Sequence, residues 1–200
     1  IIDIAMADGL SGTYQTACSA REMSDHKEQI HVFNSRTLCG PHQYMVQTAQ
    51  KMKESGSTVQ EILAWLNKAA DNSQSFLIPQ DFSFLKRGGR LTPLAAATGS
   101  VLKLKPIMKL TKDGKRLDKF GIKRTMASAA ESIIDSLKDV GLGKDHILYI
   151  SHGNAPDDAK KIEALFSRAF PELEIRILEL SAAFVAQGGP RCVAIQYILR

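Results

Sequence analysis

No stretch of this sequence stays apolar for the roughly 20 residues that a membrane-crossing helix requires, so a transmembrane span is not expected. Cysteine is scarce. Cys18, Cys39 and Cys192 are odd in number and far apart, which suits a reducing cytoplasm better than a disulfide framework. The five histidines, His26, His31, His42, His146 and His152, stand at no zinc-type spacing from the cysteines, so neither a metal nor a cofactor is expected. A Walker A lysine and the G-x-G-x-x-G spacing are both missing, which leaves nucleotide binding little support. Gly9-Leu10-Ser11-Gly12 falls short of the nucleophile elbow G-x-S-x-G because Thr13 stands at the second glycine, and no acid and histidine complete a triad. Residues 1–7 are apolar but short and lack a basic flank, unlike a signal peptide. There is no initiator Met and the chain opens inside a strand-turn-helix pattern, so the expectation is a piece whose N-terminal part is missing.

What is present is ordinary for a globular protein: 200 residues, 44% hydrophobic and 24% charged. The net charge of +5 is unevenly spread. Between Lys86 and Arg124 twelve basic residues face only Asp113 and Asp118, a local excess of ten positive charges, while the remainder carries −5. Such a segment attracts phosphate, nucleic acid or an acidic protein face, or is simply a solvated lysine-rich hairpin.

Residues 1–7 read as a core strand, followed by a turn at residues 8–12 and a helix over residues 13–23. A second strand at residues 29–33 leads through Asn34-Ser35 to a helix from Pro41 to near Gly56. Residues 58–72 form another amphipathic helix, with Val59, Ile62, Leu63 and Leu66 on one stripe. Strand, helix, strand, helix in this order implies a parallel α/β sheet, whose strand ends gather binding residues. Ser11, Thr13, Asn34 and Ser35 are the residues so placed. A second unit opens with a strand at residues 75–79. It continues through a small-residue helical turn at residues 94–100 and a hairpin flanking residues 111–115, where Asp113-Gly114 is read as a pair of positive-φ positions. Helices over residues 125–140 and 157–170, strands at residues 147–150 and 173–180, and a closing apolar run at residues 192–199 complete it. The boundary is placed at residue 75, giving domains 1–75 and 76–200.

Two segments carry further chemistry. Lys86-Arg87-Gly88-Gly89-Arg90 brings three cations together with two residues of minimal bulk, which fits a phosphate or carboxylate, or else is an exposed turn. Gln187-Gly188-Gly189-Pro190 reads as a turn whose backbone can close over a ligand.

Taken in order, Gly9-Leu-Ser-Gly-Thr-Tyr-Gln15, Phe33-Asn-Ser-Arg-Thr-Leu-Cys-Gly40, Phe84-Leu-Lys-Arg-Gly-Gly-Arg-Leu-Thr92, Ala97-Thr-Gly-Ser-Val-Leu-Lys-Leu-Lys-Pro-Ile107, Asp113-Gly114, His152-Gly-Asn154 and Gly189-Pro190 resemble the DegV family across essentially the whole chain. The resemblance implies a two-domain α/β protein: a partial parallel-sheet N-terminal domain plus an α/β C-terminal lipid-holding domain. It further implies a long-chain fatty acid bound between the domains and presented to a separate ATP-dependent fatty acid kinase, so the expected role is a cytoplasmic bacterial carrier and not an enzyme. On this reading Asp8, Gly9, Ser11, Gly12, Thr13, Gln187 and Gly188 surround the head group. Leu94, Val101, Leu102, Leu104, Ile107 and Met108 line the acyl tail, and Lys86, Arg87, Arg90 and Arg124 face the kinase or an acyl phosphate. The sequence departs from the family pattern at Ala7-Asp8, where two serines are usual, at Gln187 in place of a histidine, and at Arg191 in place of a glycine. The alternatives are an enzyme acting on a phosphorylated small molecule through the basic segment, for which no paired acid and base is found, and a nucleic-acid binder. The latter is disfavoured because Phe120 is the sole aromatic residue among the cations of the hairpin.

Overall fold

The structure is a computed structural model that describes residues 1–97 and 104–200. The chain opens with β1 (Ile2–Ala5), α1 (Thr13–Glu22) and β2 (His31–Asn34), and β1 and β2 pair in parallel with Ile2 opposite His31 and Ala5 opposite Asn34. Two helices follow, α2 (Cys39–Glu54) and α3 (Val59–Asp71). The start of α3 is fixed by a reciprocal cap: the Thr58 hydroxyl accepts from the Glu61 N–H at 3.2 Å, and the Glu61 carboxylate accepts from the Thr58 N–H at 2.7 Å. These bonds hold the Glu61 carboxyl below its ordinary pKa.

The remaining elements are β3 (Ser73–Ile78), α4 (Phe82–Gly88), α5 (Pro93–Ala96), β4 (Lys105–Leu110), β5 (Leu117–Lys123), α6 (Met126–Leu137), β6 (His146–His152), α7 (Pro156–Ala169), β7 (Glu174–Glu179), α8 (Ala182–Gly188) and β8 (Val193–Leu199). Their strands form one six-stranded sheet in the order β5-β4-β3-β8-β6-β7. Only β6 and β7 run parallel there; the other neighbours are antiparallel. The terminal apolar run thus enters the middle of the sheet, because a strand apolar on both faces is stable only where both faces are covered.

Alternation along the strands divides the core. Phe76, Ile78, Ile107, Leu148, Ile150, Val193 and Ile195 point to one side and meet α6 and α7 through Ile133, Ile134, Ile162 and Phe166. On the opposite side Ile147, Tyr149 and Ile198 meet Met45, Ile62 and Leu66 of the first two long helices. The approach of α2 is close: a Cβ on Gly40 would lie 2.3 Å from the Tyr149 ring. The second half of the sheet's second face is left to α4, α8 and the loops after β1 and β2.

Several expectations are corrected. The β4–β5 turn uses one positive-φ position, not two: Gly114 has φ +73, whereas Asp113 instead accepts from the Thr111 hydroxyl at 2.6 Å and the Lys115 N–H at 3.0 Å. Residues 82–88 form a helix that includes Lys86 to Gly88, and residues 182–188 form another, so that Gln187 and Gly188 of the expected turn at residues 187–190 belong to a helix end. Helix α5 ends at Ala96, and the expected helical turn beyond it lies partly outside the described residues.

The tip of the β4–β5 hairpin rests on the first unit. A Cβ on Gly9 would stand 2.8 Å from the Lys115 carbonyl oxygen, one on Gly114 would stand 3.0 Å from the Arg36 Cα, and the Arg116 guanidinium donates to the Gly9 carbonyl. Gly9 also has φ +88, which a side chain resists. Gly9→Ala is expected to destabilise the protein by about 1–3 kcal/mol in urea unfolding. Gly12→Ala, whose Cβ would meet nothing within 4 Å, should change stability by no more than about 0.5 kcal/mol. Equal effects of the two substitutions would show that this contact does not hold the halves together.

Candidate functional site

A cavity of about 290 Å3 lies on the second face of the six-stranded sheet, beyond the part covered by α2 and α3. Its floor is Ser75 and Leu77 of β3 with Ala194 and Gln196 of β8, which point to that side by strand alternation. One wall is Met6, Leu10 and Ser11 after β1 with Leu38 and Cys39 after β2. The other is Leu85 of α4 with Ala183, Phe184 and Gln187 of α8. Arg90 and Leu117 also contribute to the lining. The lining is mostly aliphatic and aromatic with a few polar groups, the composition of a small-molecule site.

The polar groups are individually placed. Arg90 donates from Nε to the Leu10 carbonyl at 3.2 Å and from Nη1 to the Gly88 carbonyl, so its guanidinium is steered inward by backbone. Gln196 is 1% exposed, and its Nε2 donates to the Leu38 carbonyl at 3.0 Å and to Ser75 Oγ at 2.9 Å. Its Oε1 has no hydrogen-bond partner among the described residues. The Ser11 hydroxyl accepts from the Thr13 N–H at 3.3 Å. Two glycines let α8 approach. A Cβ on Gly88 would lie 2.5 Å from Gln187 Oε1, and one on Gly188 would lie 2.9 Å from Cys192 Sγ.

Of the head-group residues expected from the sequence, Ser11, Gln187 and Gly188 line this cavity, and Arg90 joins them. Gly9, Gly12 and Thr13 do not. Asp8 is also off the wall: its carboxylate accepts from Gln15 Nε2 at 3.1 Å, and its N–H donates to Asn34 Oδ1 at 3.2 Å. The three cations of residues 86–90 do not converge. Lys86 and Arg87 are exposed on α4, with Lys86 6.0 Å and Arg87 4.8 Å from the rings of Phe82 and Phe84, while Arg90 turns inward. Arg124 is exposed beyond the end of β5.

Of the tail residues expected from the sequence, those among the described residues lie off this lining. Leu94 is 77% exposed, Ile107 points to α6 and α7, and Met108 packs with Leu91, Ala95 and Leu110 behind the wall. Leu104 is half-buried and off the lining, and Val101 and Leu102 lie outside the described residues. The lining residues that sequence reading missed are chiefly Leu38, Leu77, Leu85, Phe184 and Ala194. A signal existed for the floor: serine and glutamine at alternate positions of otherwise bulky strands. Arg191, at the position where the resemblance expects glycine, has φ +59, donates its N–H to the Gly153 carbonyl at 2.7 Å and pairs with Asp158 at 3.3 Å.

Comparison with known proteins agrees with this architecture. A family model described as "DegV: Uncharacterised protein, DegV family" matches residues 1–200. Protein DegV of Bacillus subtilis is 30% identical over 176 residues, covering 87% of this chain and 62% of that protein. A DegV domain-containing protein of Clostridium perfringens is 25% identical over 202 residues, 99% of this chain and 69% of the relative. The chain therefore spans about two thirds of the length of the curated relatives it matches. Among solved structures, that of Bacillus subtilis DegV, a fatty acid binding protein, superposes with a TM-score of 0.82 at 27% identity, covering 100% of this chain and 70% of that one. A DegV family protein of Corynebacterium glutamicum gives a TM-score of 0.89 at 20% identity, covering 99% and 74%.

Two thiols face the cavity, one from each half. Burial first, and the neighbouring Cys192 second, push the Cys39 thiol up to about 12, and burial also raises Cys192. The folded protein holds the Cys39 proton more tightly than the unfolded chain does. The linked stabilisation is thus complete below the ordinary thiol value of 9.0 and is lost as pH rises toward 12. The urea midpoint should fall between pH 9 and pH 11 by more in the wild type than in Cys39→Ala; parallel losses would place the thiol in a wetter site than the structure gives it.

Proposed function

The chain belongs to the DegV family, and we propose that it binds a long-chain fatty acid in the cavity between the sheet floor and the loops after β1 and β2. The observation that carries this reading is a mostly apolar cavity with one guanidinium in its lining, that of Arg90. Each buried methylene contributes about 0.8 kcal/mol, so a long chain binds tightly with few polar contacts. The similarity to Bacillus subtilis DegV, a fatty acid binding protein, supports it.

In this reading Arg90, Ser11 and Gln187 hold the carboxylate, and the tail runs over Leu77 and Ala194 beneath Phe184. Asp8 does not repel the head group, because its carboxylate is engaged by Gln15 away from the wall. Residues 1–75 act as the head-group domain and residues 76–200 as the lipid-holding one. The protein works in the cytoplasm as a carrier without catalysis of its own and presents the carboxylate to a separate ATP-dependent fatty acid kinase. Lys86, Arg87 and Arg124, exposed and outside the cavity, form the face for that partner. Among the described residues no helix is long and apolar enough to cross a membrane.

The test is native mass spectrometry with lipid extraction, followed by titration with a fatty acid and its matching alcohol. The acid should bind roughly tenfold to a hundredfold more tightly than the alcohol, a preference lost in Arg90→Gln. Phe184→Asp should abolish binding of both. Absence of lipid in every preparation, or equal affinity for acid and alcohol in the wild type, would sink the reading.

A further inference from the structure

A second cavity, of about 200 Å3, lies on the other side of Ser75, which lines both. It exists because β3 and β4 pair only at Phe76 with Lys109 and Leu77 with Met108; before Phe76 the two strands part. The gap is bounded by Arg36 and Thr37 after β2, Asp71 at the end of α3, Gln74 of β3, and Thr111 and Lys112 after β4. The backbone around it is held firmly. Arg36 adopts φ +53, a conformation that side chains resist, with Gly114 of the hairpin tip packed against its Cα.

The hydrogen-bonding inventory of this cavity is unbalanced. The Asp71 carboxylate is taken by Arg36 Nη1 at 2.8 Å. The Gln74 side-chain Oε1 accepts from the Ser75 N–H at 2.8 Å, which leaves the side-chain NH2. The Thr111 hydroxyl donates to Asp113 and accepts from the Arg116 N–H, so it is used in both directions. What remains among the described residues is the rest of the Arg36 fork, the Gln74 NH2, the Lys112 ammonium, the hydroxyls of Thr37 and Tyr197, and the proton of Ser75, whose oxygen accepts from Gln196. Lys112 has no ion-pair partner among the described residues. Thr37 is 1% exposed, and its Oγ1 has no hydrogen-bond partner among the described residues. A buried hydroxyl left in that condition is costly, and proteins seldom retain one without a partner. The uncommitted groups are thus donors with one unbalanced positive charge, the complement of an anion rich in acceptor oxygens.

We propose that this cavity is a second binding site, for a small oxyanion such as phosphate, held between Arg36 and Lys112 and accepting from the Thr37 hydroxyl. It is polar where the first cavity is apolar, and its chemistry does not depend on what the first one holds. The wall between them is thin: Ser75 Oγ and the Leu38 carbonyl, one residue beyond Thr37, are both bonded to Gln196 Nε2.

The experiment is calorimetric titration of the protein with inorganic phosphate at constant ionic strength maintained with sodium chloride. One-to-one saturable binding is expected, weakened about tenfold or more by Lys112→Gln and by Thr37→Val. Lys160→Gln, which removes an exposed cation on α7 outside the cavity, should leave the wild-type constant. Lys112 is exposed, so its variant should fold even if Thr37→Val does not, and it then decides the matter alone. Absence of saturable phosphate binding overturns the proposal, as does binding that Lys112→Gln and Lys160→Gln weaken equally. Neither result bears on fatty-acid binding, which is read separately with the acid and alcohol pair.

Discussion

A six-stranded sheet that is apolar on both faces must be covered twice, and the molecule is organised by how unevenly the second covering is made. Helices α6 and α7 shield one face along most of its width. On the other face α2 and α3 pack against Ile147, Tyr149, Ile198 and Leu178, at the β8-β6-β7 side of the sheet. Over Ser75, Leu77, Ala194 and Gln196 the cover is made of two short helices and two loops instead of a long helix. Long helices pack side chains into a sheet at near-crystalline density, whereas short elements meeting from different directions leave space between them. The cavity is thus a consequence of topology: the chain spends its long helices elsewhere on the sheet.

That space is kept from collapsing by polar chemistry and by glycine. Gln196 sits at the centre of β8 and bonds both to Ser75 beside it and to the Leu38 carbonyl of the other half. A buried amide in this position resists replacement, since removing either partner leaves a desolvated polar group. Gly88 and Gly188 allow α4 and α8 to close over the cavity with less than a side chain's thickness between them and their neighbours. Arg90 is aimed by two backbone carbonyls, so its direction is fixed before any ligand arrives, which lowers the entropic cost of binding an anion.

Much of this was legible in the residues. The order of strands and helices, the hairpin around Gly114 and the gathering of Ser11, Gln187 and Gly188 at one place follow from periodicity, turn chemistry and resemblance. The rest of the cavity lining did not. Leu94, Ile107 and Met108 were natural choices from an apolar stretch, but which side of a strand a residue faces depends on register with neighbours far away in sequence. Ile107 and Met108 are adjacent and point to opposite faces. Likewise α8 is seven residues long and rich in alanine and glycine, too short for its periodicity to separate it from a turn. Its true support is tertiary, through Phe184 and Gly188 over the cavity.

The basic segment shows why a count of charges is a weak guide to a binding face. Its cations separate into groups with different work. Arg90 and Arg116 turn to backbone carbonyls of the first unit and join the two halves. Lys109 lies 5.6 Å from the Phe76 ring and 6.0 Å from that of Phe120, covering apolar surface with its stem. Lys119 and Lys123 are exposed on β5, the outermost strand of the sheet, where charge discourages pairing with another chain. Among the described residues, Lys86, Arg87, Lys112, Lys115 and Arg124 are left with exposed side chains that neither bond to the other unit nor lie on a strand. Two local groups of these stand out, Lys86 with Arg87 on α4 and Lys112 beside the gap between β3 and β4. Each has a neighbour that gives it meaning: the aromatic rings of α4 in one case, and the buried Thr37 hydroxyl in the other.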